Sequence, residues 1–363
     1  MPTANHGPWK DVSADFQHWI SNFDNDHDLV TTPEQRRWGP QDYLEGNFVE
    51  GVRTMMGAGS PSMKDGLAIS YYSCKKGMTG QKIAMYSSDG DMLIVPQFGT
   101  LRVTTEFGKL TVASKEIIVI PRGIKFAVDL EHEQARGWIA EVYKGHFLIP
   151  DLGPIGSNGL ANERDFEVPV AAYEDSTDEW KIFSRYQGKT FMYTQDHSPF
   201  DVVAWHGNYV PYRYDLNKYN TMGTISYDHP DPSIFTVLSA QSDEPGQAVL
   251  DFVIFPPRWL VGEDTFRPPY YHRNTMSEFM GNIAGTYDAK EKGFIPGASS
   301  LHSTMSGHGP DHEVFNKASN AELKPMFIGV GSLAFMFETC YMMKLTQHAA
   351  HNYVDGEYMD CWR

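Results

Sequence analysis

From residue 67 to 143 the chain is a succession of short runs rich in β-branched, aromatic and aliphatic residues, and this pattern leaves few options for its fold. LAISYYSC, KIAMYSS, MLIVPQ, TLRVTTEF, KLTVAS, EIIVIP, KFAVDL and GWIAEVY are each too short for a stable helix. Turn signals such as SSDGD, FG and PRG lie between them. Short strands at regular spacing close into a sandwich or a barrel. A second β-rich group begins near residue 218. TISYD, SIFTVLSA and AVLDFVIF read as strands, SEFMGNIAGTYDA as a strand pair, SLHSTMS as a loop, and LAFMF as a closing strand. Residues 147 to 200 are rich in Gly, Pro, Asn and Asp and read as long ordered loops. Residues 1 to about 45 are polar with weak periodicity and read as an arm or partner-contacting segment.

The expected class is therefore mainly β, with little helix and two parts. Residues 1–217 combine the arm with a cupin-like β-sandwich or barrel; residues 218–363 form a smaller β-rich domain. Pro121 and Gly123 in EIIVIPRGIKF punctuate two strands as they would in a cupin-like barrel. Phe126 stands where a ligand histidine would follow Pro-x-Gly, so the first barrel reads as scaffold without metal.

At 363 residues with 41% hydrophobic content, the chain is long enough for a large core. Its net charge of -16 repels phosphate backbones and argues against nucleic acid as a partner. No run of eighteen apolar residues offers a membrane span, and the N-terminus lacks the apolar stretch of a signal peptide. Cys74, Cys340 and Cys361 are few and far apart, which fits a reducing, cytoplasmic setting better than a disulfide framework.

Chemistry concentrates in the second part. RPPYYHRNTMSEFMG carries His272 and Glu278, and SLHSTMSGHGPDHE follows with His302, His308 and His312. Two imidazoles and one carboxylate can occupy one face of an octahedral iron(II) and leave the other face for substrate and dioxygen. His272 and Glu278 are six apart. A straight strand would separate them by about 20 Å, so the chain must bend at RNTMS to bring them together. A third ligand would come from the later segment, where flanking glycines let the backbone at His308 approach closely. Each residue also has an ordinary reading: a surface or hydrogen-bonded histidine, an aromatic of the core at Tyr287, a simple turn at Asp228–Asp231. Spacing alone leaves function open.

Longer strings narrow it. DLGPIGSNGLANERDF, VVAWHGNYVPY, DHPDPSIFTVL, DFVIFPPRW, TFRPPYYHRNTMSEFMG and SLHSTMSGHGPD resemble the homogentisate 1,2-dioxygenase family. The resemblance runs from about residue 66 to 318. It implies a non-haem iron(II), Fe(2+), enzyme of tyrosine and phenylalanine catabolism that opens the ring of homogentisate with O2 to give maleylacetoacetate. It implies His272, Glu278 and His308 as metal ligands, His229 as the acid–base residue, and Tyr287 and His308 as substrate contacts. It also implies a homo-oligomer, a trimer or a hexamer. Residues 1–60 and the C-terminal tail match the family less well, and the usual N-terminal Gly-Phe-Gly-Asn segment is missing. A paralogue cleaving gentisate or hydroquinone and a non-catalytic cupin-like protein are the competing expectations.

Overall fold

The computed structural model describes residues 4–25, 27–151, 160–201, 207–221, 235–260, 270–290 and 292–363. The expected strand at TISYD lies outside these residues, as does most of DLGPIGSNGL.

The sequence pattern and the layering explain each other. Strands Leu101–Thr105 and Gly108–Val112 alternate buried and partly or fully exposed residues, as strands do with one face on a core and one near water. Asp91–Phe98 and Asp65–Cys74 are instead buried almost throughout. An uninterrupted apolar run requires cover on both faces, and the structure supplies it. Asp65–Cys74, Asp91–Phe98, Glu116–Ile120 and Ala135–Val142 belong to a nine-stranded sheet that lies between two seven-stranded sheets. Successive side chains along its strands go to opposite cores. Tyr71, Leu93, Val95, Ile117, Val119 and Trp138 enter one core; Tyr72, Met92, Ile94, Ile118, Ile120 and Ile139 enter the other. Phe126 is fully buried in the second of these cores.

The first outer sheet pairs residues 83–87, 101–105, 108–112 and 126–130 with the hairpin Trp180–Tyr186 and Lys189–Gln195. That hairpin falls inside the stretch expected to be loop. Its TFMYT core is short, and the polar residues around it mask the alternation. The second outer sheet contains Thr236–Gln241, Ala248–Phe255, Leu333–Thr339, Ser277–Ala284 and Ser299–His302. Here too the expectation needs correcting. SEFMGNIAGTYDA is one strand followed by a turn, and SLH of the supposed loop pairs with it.

Residues 4–45 do not project as an arm. Lys10–Asp11, Leu29–Val30 and Arg36–Trp38 each add an edge strand, one to each large sheet. Trp19, Phe23 and Trp38 are buried. Among the described residues, four strand pairings join the two halves of the chain: Arg36–Trp38 with Ser299–Leu301, Phe147–Leu148 with Ser239–Ala240, Lys344–Leu345 with Met56–Gly57, and Leu29–Val30 with Leu345–Thr346.

A polar cluster sits inside the first sandwich. Arg185, buried and stacked over Trp19, donates to Thr190 Oγ1 at 2.6 Å and Ser21 Oγ at 2.7 Å. Asp89 accepts from the backbone N–H groups of Gln187 and Gly188 at 2.6 and 2.8 Å. Glu141 accepts from Ser87 Oγ. Burial, reinforced by the Asp89 charge, pushes the Glu141 carboxyl up to about 7. The folded chain thus holds a proton that the unfolded chain releases near its ordinary value of 4.5. The contribution of Glu141 to stability should therefore be greatest at the acid end of this window, fall between about pH 4.5 and 7, and level off above it, by an amount on the order of 3 kcal/mol, while His18 and His302, whose pKa values burial pushes down, contribute with the opposite sign. Glu141→Gln should remove this contribution, so the difference in urea midpoint between native chain and variant should change across pH 4.5 to 8; a difference that does not vary with pH would rule it out.

Candidate metal centre

The second outer sheet has two faces. Phe279, Leu301 and Phe337 point to the shared core. Because side chains alternate, Glu278, His302 and Glu338 point the other way, and the register sets Glu278 directly between His302 and Glu338 on the neighbouring strands. Glu278 is thus delivered by a rigid central strand.

His272 reaches it from outside the sheet. Before Ser277 the chain bends, held by Asn274, whose Oδ1 accepts from the Met276 N–H at 2.9 Å and whose carbonyl accepts from the Met305 N–H at 2.8 Å. Asn274 Nδ2 donates to Glu278 Oε1 at 2.9 Å and also to Glu338, so one amide ties both carboxylates. Beyond the bend, His272 and His308 exchange backbone hydrogen bonds of 2.8 and 3.0 Å. Gly309 makes this approach possible: a Cβ there would lie 2.7 Å from the Tyr271 ring and 2.9 Å from its Cα. Gly307 has open space around it and is not required in the same way.

His272, Glu278 and His308 each offer a ligand atom, and these atoms lie within 4.8 Å of one another. His308 Nε2 is 3.0 Å from Glu278 Oε2, and His272 Nε2 is 3.9 Å from Oε1. The opposite ring nitrogens define the proton positions. His272 Nδ1 is 2.6 Å from the Tyr270 carbonyl and His308 Nδ1 is 3.0 Å from the Ser306 carbonyl. A carbonyl only accepts, so both Nδ1 atoms carry hydrogen and, in a neutral ring, both Nε2 atoms present lone pairs. His308 Nε2 and Glu278 Oε2 lie at hydrogen-bonding distance; a bound cation would take the place of that contact. Two imidazole nitrogens, one carboxylate and fixed tautomers are the donor set that a divalent metal requires. Burial opposes ionisation of Glu278, but His302 and His308 outweigh it and hold the carboxyl well below its usual range. Glu278 and His308 are buried, whereas the His272 side chain is 40% exposed. The centre therefore opens on its His272 side, into a cavity of about 450 Å³ lined by Tyr271, Arg273, Met359 and Trp362 as well as His272 and His308.

His302 is buried and stacks on His308 with ring centroids 4.1 Å apart. Its Nε2 is 2.7 Å from the Tyr358 hydroxyl, and its Nδ1 is 3.9 Å from Glu278 Oε2. Burial pushes its pKa down to about 3, with His308 acting in the same direction, so its ring is neutral. His312 opens the helix His312–Ser319 and pairs with Asn316; it is not one of the three clustered ligand-type residues. Tyr287 packs against Phe255 and Phe294 in the small core on the same side of the sheet. It is not among the residues lining the cavity. His229 lies outside the described residues.

Two features escaped the sequence reading. Asn274, within the RNTMS bend, drew no role from the sequence, yet it bonds to the carboxylate. Met359 and Trp362, from the last turn of the chain, line the cavity. No periodicity flags a five-residue turn, so its role becomes visible only in three dimensions.

Comparison with known proteins agrees with the strings read above. A family model described as homogentisate 1,2-dioxygenase N-terminal matches residues 1–216, and one described as homogentisate 1,2-dioxygenase C-terminal matches residues 217–363. The homogentisate 1,2-dioxygenase of Caenorhabditis elegans is 52% identical over 100% of this chain and 82% of its own length. That of Emericella nidulans is 52% identical over 96% of this chain and 77% of its own length. That of Drosophila melanogaster is 50% identical over 100% of this chain and 83% of its own. Among solved structures, a variant of Bacillus subtilis oxalate decarboxylase covers 94% of the chain and is itself 93% covered, at 12% identity and a TM-score of 0.36, a likeness too loose to bear on function. With both halves matched and half of all residues shared with relatives over about four fifths of their length, the chain belongs to the homogentisate 1,2-dioxygenase family.

Proposed function

We propose that this chain opens the aromatic ring of homogentisate with dioxygen, giving maleylacetoacetate, and that it holds iron(II) on His272, Glu278 and His308. The observation that carries this reading is the convergence of those three side chains at the mouth of a cavity in a chain of this family. The metal would supply Lewis acidity toward the phenol and an electron path between the ring and dioxygen.

The protein's own contributions follow from its geometry. Glu278 brings the one negative charge of the set, and Asn274 holds its orientation. The Tyr270 and Ser306 carbonyls fix the two ligand imidazoles with Nε2 free. Arg273 lines the same cavity and offers a positive charge to the acetate arm of the substrate, which matters on a chain of net charge -16. We assign His229 the phenol proton, since an ordinary imidazole titrates near pH 6.5. His308, which lines the cavity, is assigned to substrate contact; Tyr287, buried in the small core and off the cavity wall, is not. In this reading residues 1–217 are chiefly scaffold and residues 218–363 the catalytic part. The working unit is a trimer or hexamer in the cytoplasm; Cys74, Cys340 and Cys361 are all free, and no helix among the described residues is long and apolar enough to cross a membrane.

The test is oxygen uptake by protein loaded anaerobically with iron(II) and offered homogentisate, gentisate or hydroquinone. Rapid uptake with homogentisate and a ring-opened product supports the reading. Uptake with another diphenol alone changes the substrate, and iron-loaded protein inert toward all three removes the activity. His229→Ala should keep its iron and lose turnover by about 10²- to 10⁴-fold. Loss of iron from that variant would instead assign His229 to the metal site.

A further inference from the structure

A histidine and a tyrosine behind the metal ligands are left without a role by the reading above. His302 is the cross-strand neighbour of Glu278. Its Nδ1 has no hydrogen-bond partner, is buried, and lies 3.9 Å from Glu278 Oε2. Its Nε2 is bonded to the Tyr358 hydroxyl at 2.7 Å. A neutral imidazole carries one N–H, so this ring has two possible states. With the hydrogen on Nε2, Tyr358 would accept, and an Nδ1 lone pair would point toward a buried carboxylate. With the hydrogen on Nδ1, an N–H dipole points at that carboxylate and Tyr358 must donate to Nε2.

The surroundings of Tyr358 favour donation. The Arg37 guanidinium lies over its ring at 4.2 Å, and Lys290 Nζ is 4.9 Å from the ring centre. Arg37 and Lys290 are both buried. Cations over an aromatic face draw electron density from it and make a phenol a better donor and a poorer acceptor. The carboxylate on one side of His302 and the cations beyond Tyr358 thus polarise the chain of groups in the same direction.

Resting on the ligand set proposed above, we propose that Tyr358, from the C-terminal turn Tyr358–Trp362, is a positioning residue that keeps the proton of His302 on Nδ1 and so steadies Glu278 as a metal ligand. The turn that lines the substrate cavity through Met359 and Trp362 then also tunes the metal ligand from behind. Outer partners of this kind typically contribute ten- to a hundredfold to metal affinity.

The experiment uses metal-free, ¹⁵N-histidine-labelled full-length chain for the tautomer and equilibrium dialysis against iron(II) under argon for affinity. His302 is assigned by the resonances lost in His302→Asn. The native chain should show the Nδ1–H form. Tyr358→Phe, which keeps the ring between its two cations, should shift His302 away from that form and weaken iron binding about ten- to a hundredfold, with the cooperative thermal transition retained. His302→Asn separates positioning from packing, because its amide places a fixed N–H near the Nδ1 position. In that background Tyr358→Phe should cost no further affinity. An Nε2–H or doubly protonated His302 in the native chain overturns the proposal. So does an equal loss on Tyr358→Phe in both backgrounds, which would make the tyrosine a packing residue, or no loss at all. If the native chain binds no iron, the ligand set itself fails, which is a distinct result.

Discussion

Glu278→Ala should bind iron(II) on the order of a hundred- to a thousandfold more weakly than the native chain and lose ring-opening activity. The magnitude follows from whole-site affinities of about 10–16 kcal/mol shared among four ligands, or roughly 3 kcal/mol for each. Glu278 should lie at the upper end because it is the sole anion of the set and its charge is already developed: the neighbouring histidines hold its carboxyl ionised despite burial. Glu278→Gln is the companion variant. It keeps the shape and an acceptor for Asn274 but removes the charge, so it should fold as the native chain does and still bind iron poorly. Dialysis, metal analysis and oxygen uptake on the same preparations read all of this. A Glu278→Ala chain with full iron content and normal turnover would eliminate the ligand assignment.

Phe279→Ala should lower the stability of the fold by about 3–5 kcal/mol, the usual cost of emptying a large aromatic site in a packed core. Phe279 is next to Glu278 on the same strand and points to the opposite face, where it is 1% exposed. Its ring is stacked on Phe337 at 6.1 Å and lies 6.4 Å from Trp38 and 6.5 Å from Phe335. These neighbours lie on two other strands of the same sheet, Leu333–Thr339 and Arg36–Trp38, and cannot readily collapse into the space. Trp38 also comes from the N-terminal edge strand, so the loss should loosen the attachment of residues 36–38 as well. The denaturant midpoint should fall, and Phe279→Leu should recover much of it. A change under 1 kcal/mol in Phe279→Ala would mean that this aromatic layer does not support the strand carrying Glu278.

The two substitutions illustrate how much was legible beforehand. LRVTT, GKLTV and DMLIV were all legible as short strands, but that the first two are outer strands and the third is covered on both faces emerged only with the three-sheet arrangement. The hairpin at residues 180–195 was missed because its apolar residues are interspersed with Lys, Arg and Gln, which reads as loop when no partner strand is in view. Residues 4–45 looked like an arm for a related reason. An edge strand of two or three residues has too little length to show a period, although Trp19, Phe23 and Trp38 each needed somewhere to be buried.

By itself the sequence determined the class of the fold, the bend required between His272 and Glu278, and a donor set of imidazole and carboxylate. These depend on local chemistry and on a period of two, both of which are written along the chain. Among His302, His308 and His312, spacing left the choice open and the resemblance pointed to His308; it is the tertiary structure that sets the His308 side chain beside His272 and Glu278. All three fall within eleven residues of sequence. His308 presents Nε2 to Glu278 at 3.0 Å, the His302 Nε2 is bonded to Tyr358, and His312 starts a helix and pairs with Asn316. Where a side chain points depends on which strand lies beside it and where the backbone turns. For this centre those neighbours come from residues 270–278, 302–308 and 358–362, brought together by contacts between segments far apart in the chain, for which no local pattern exists.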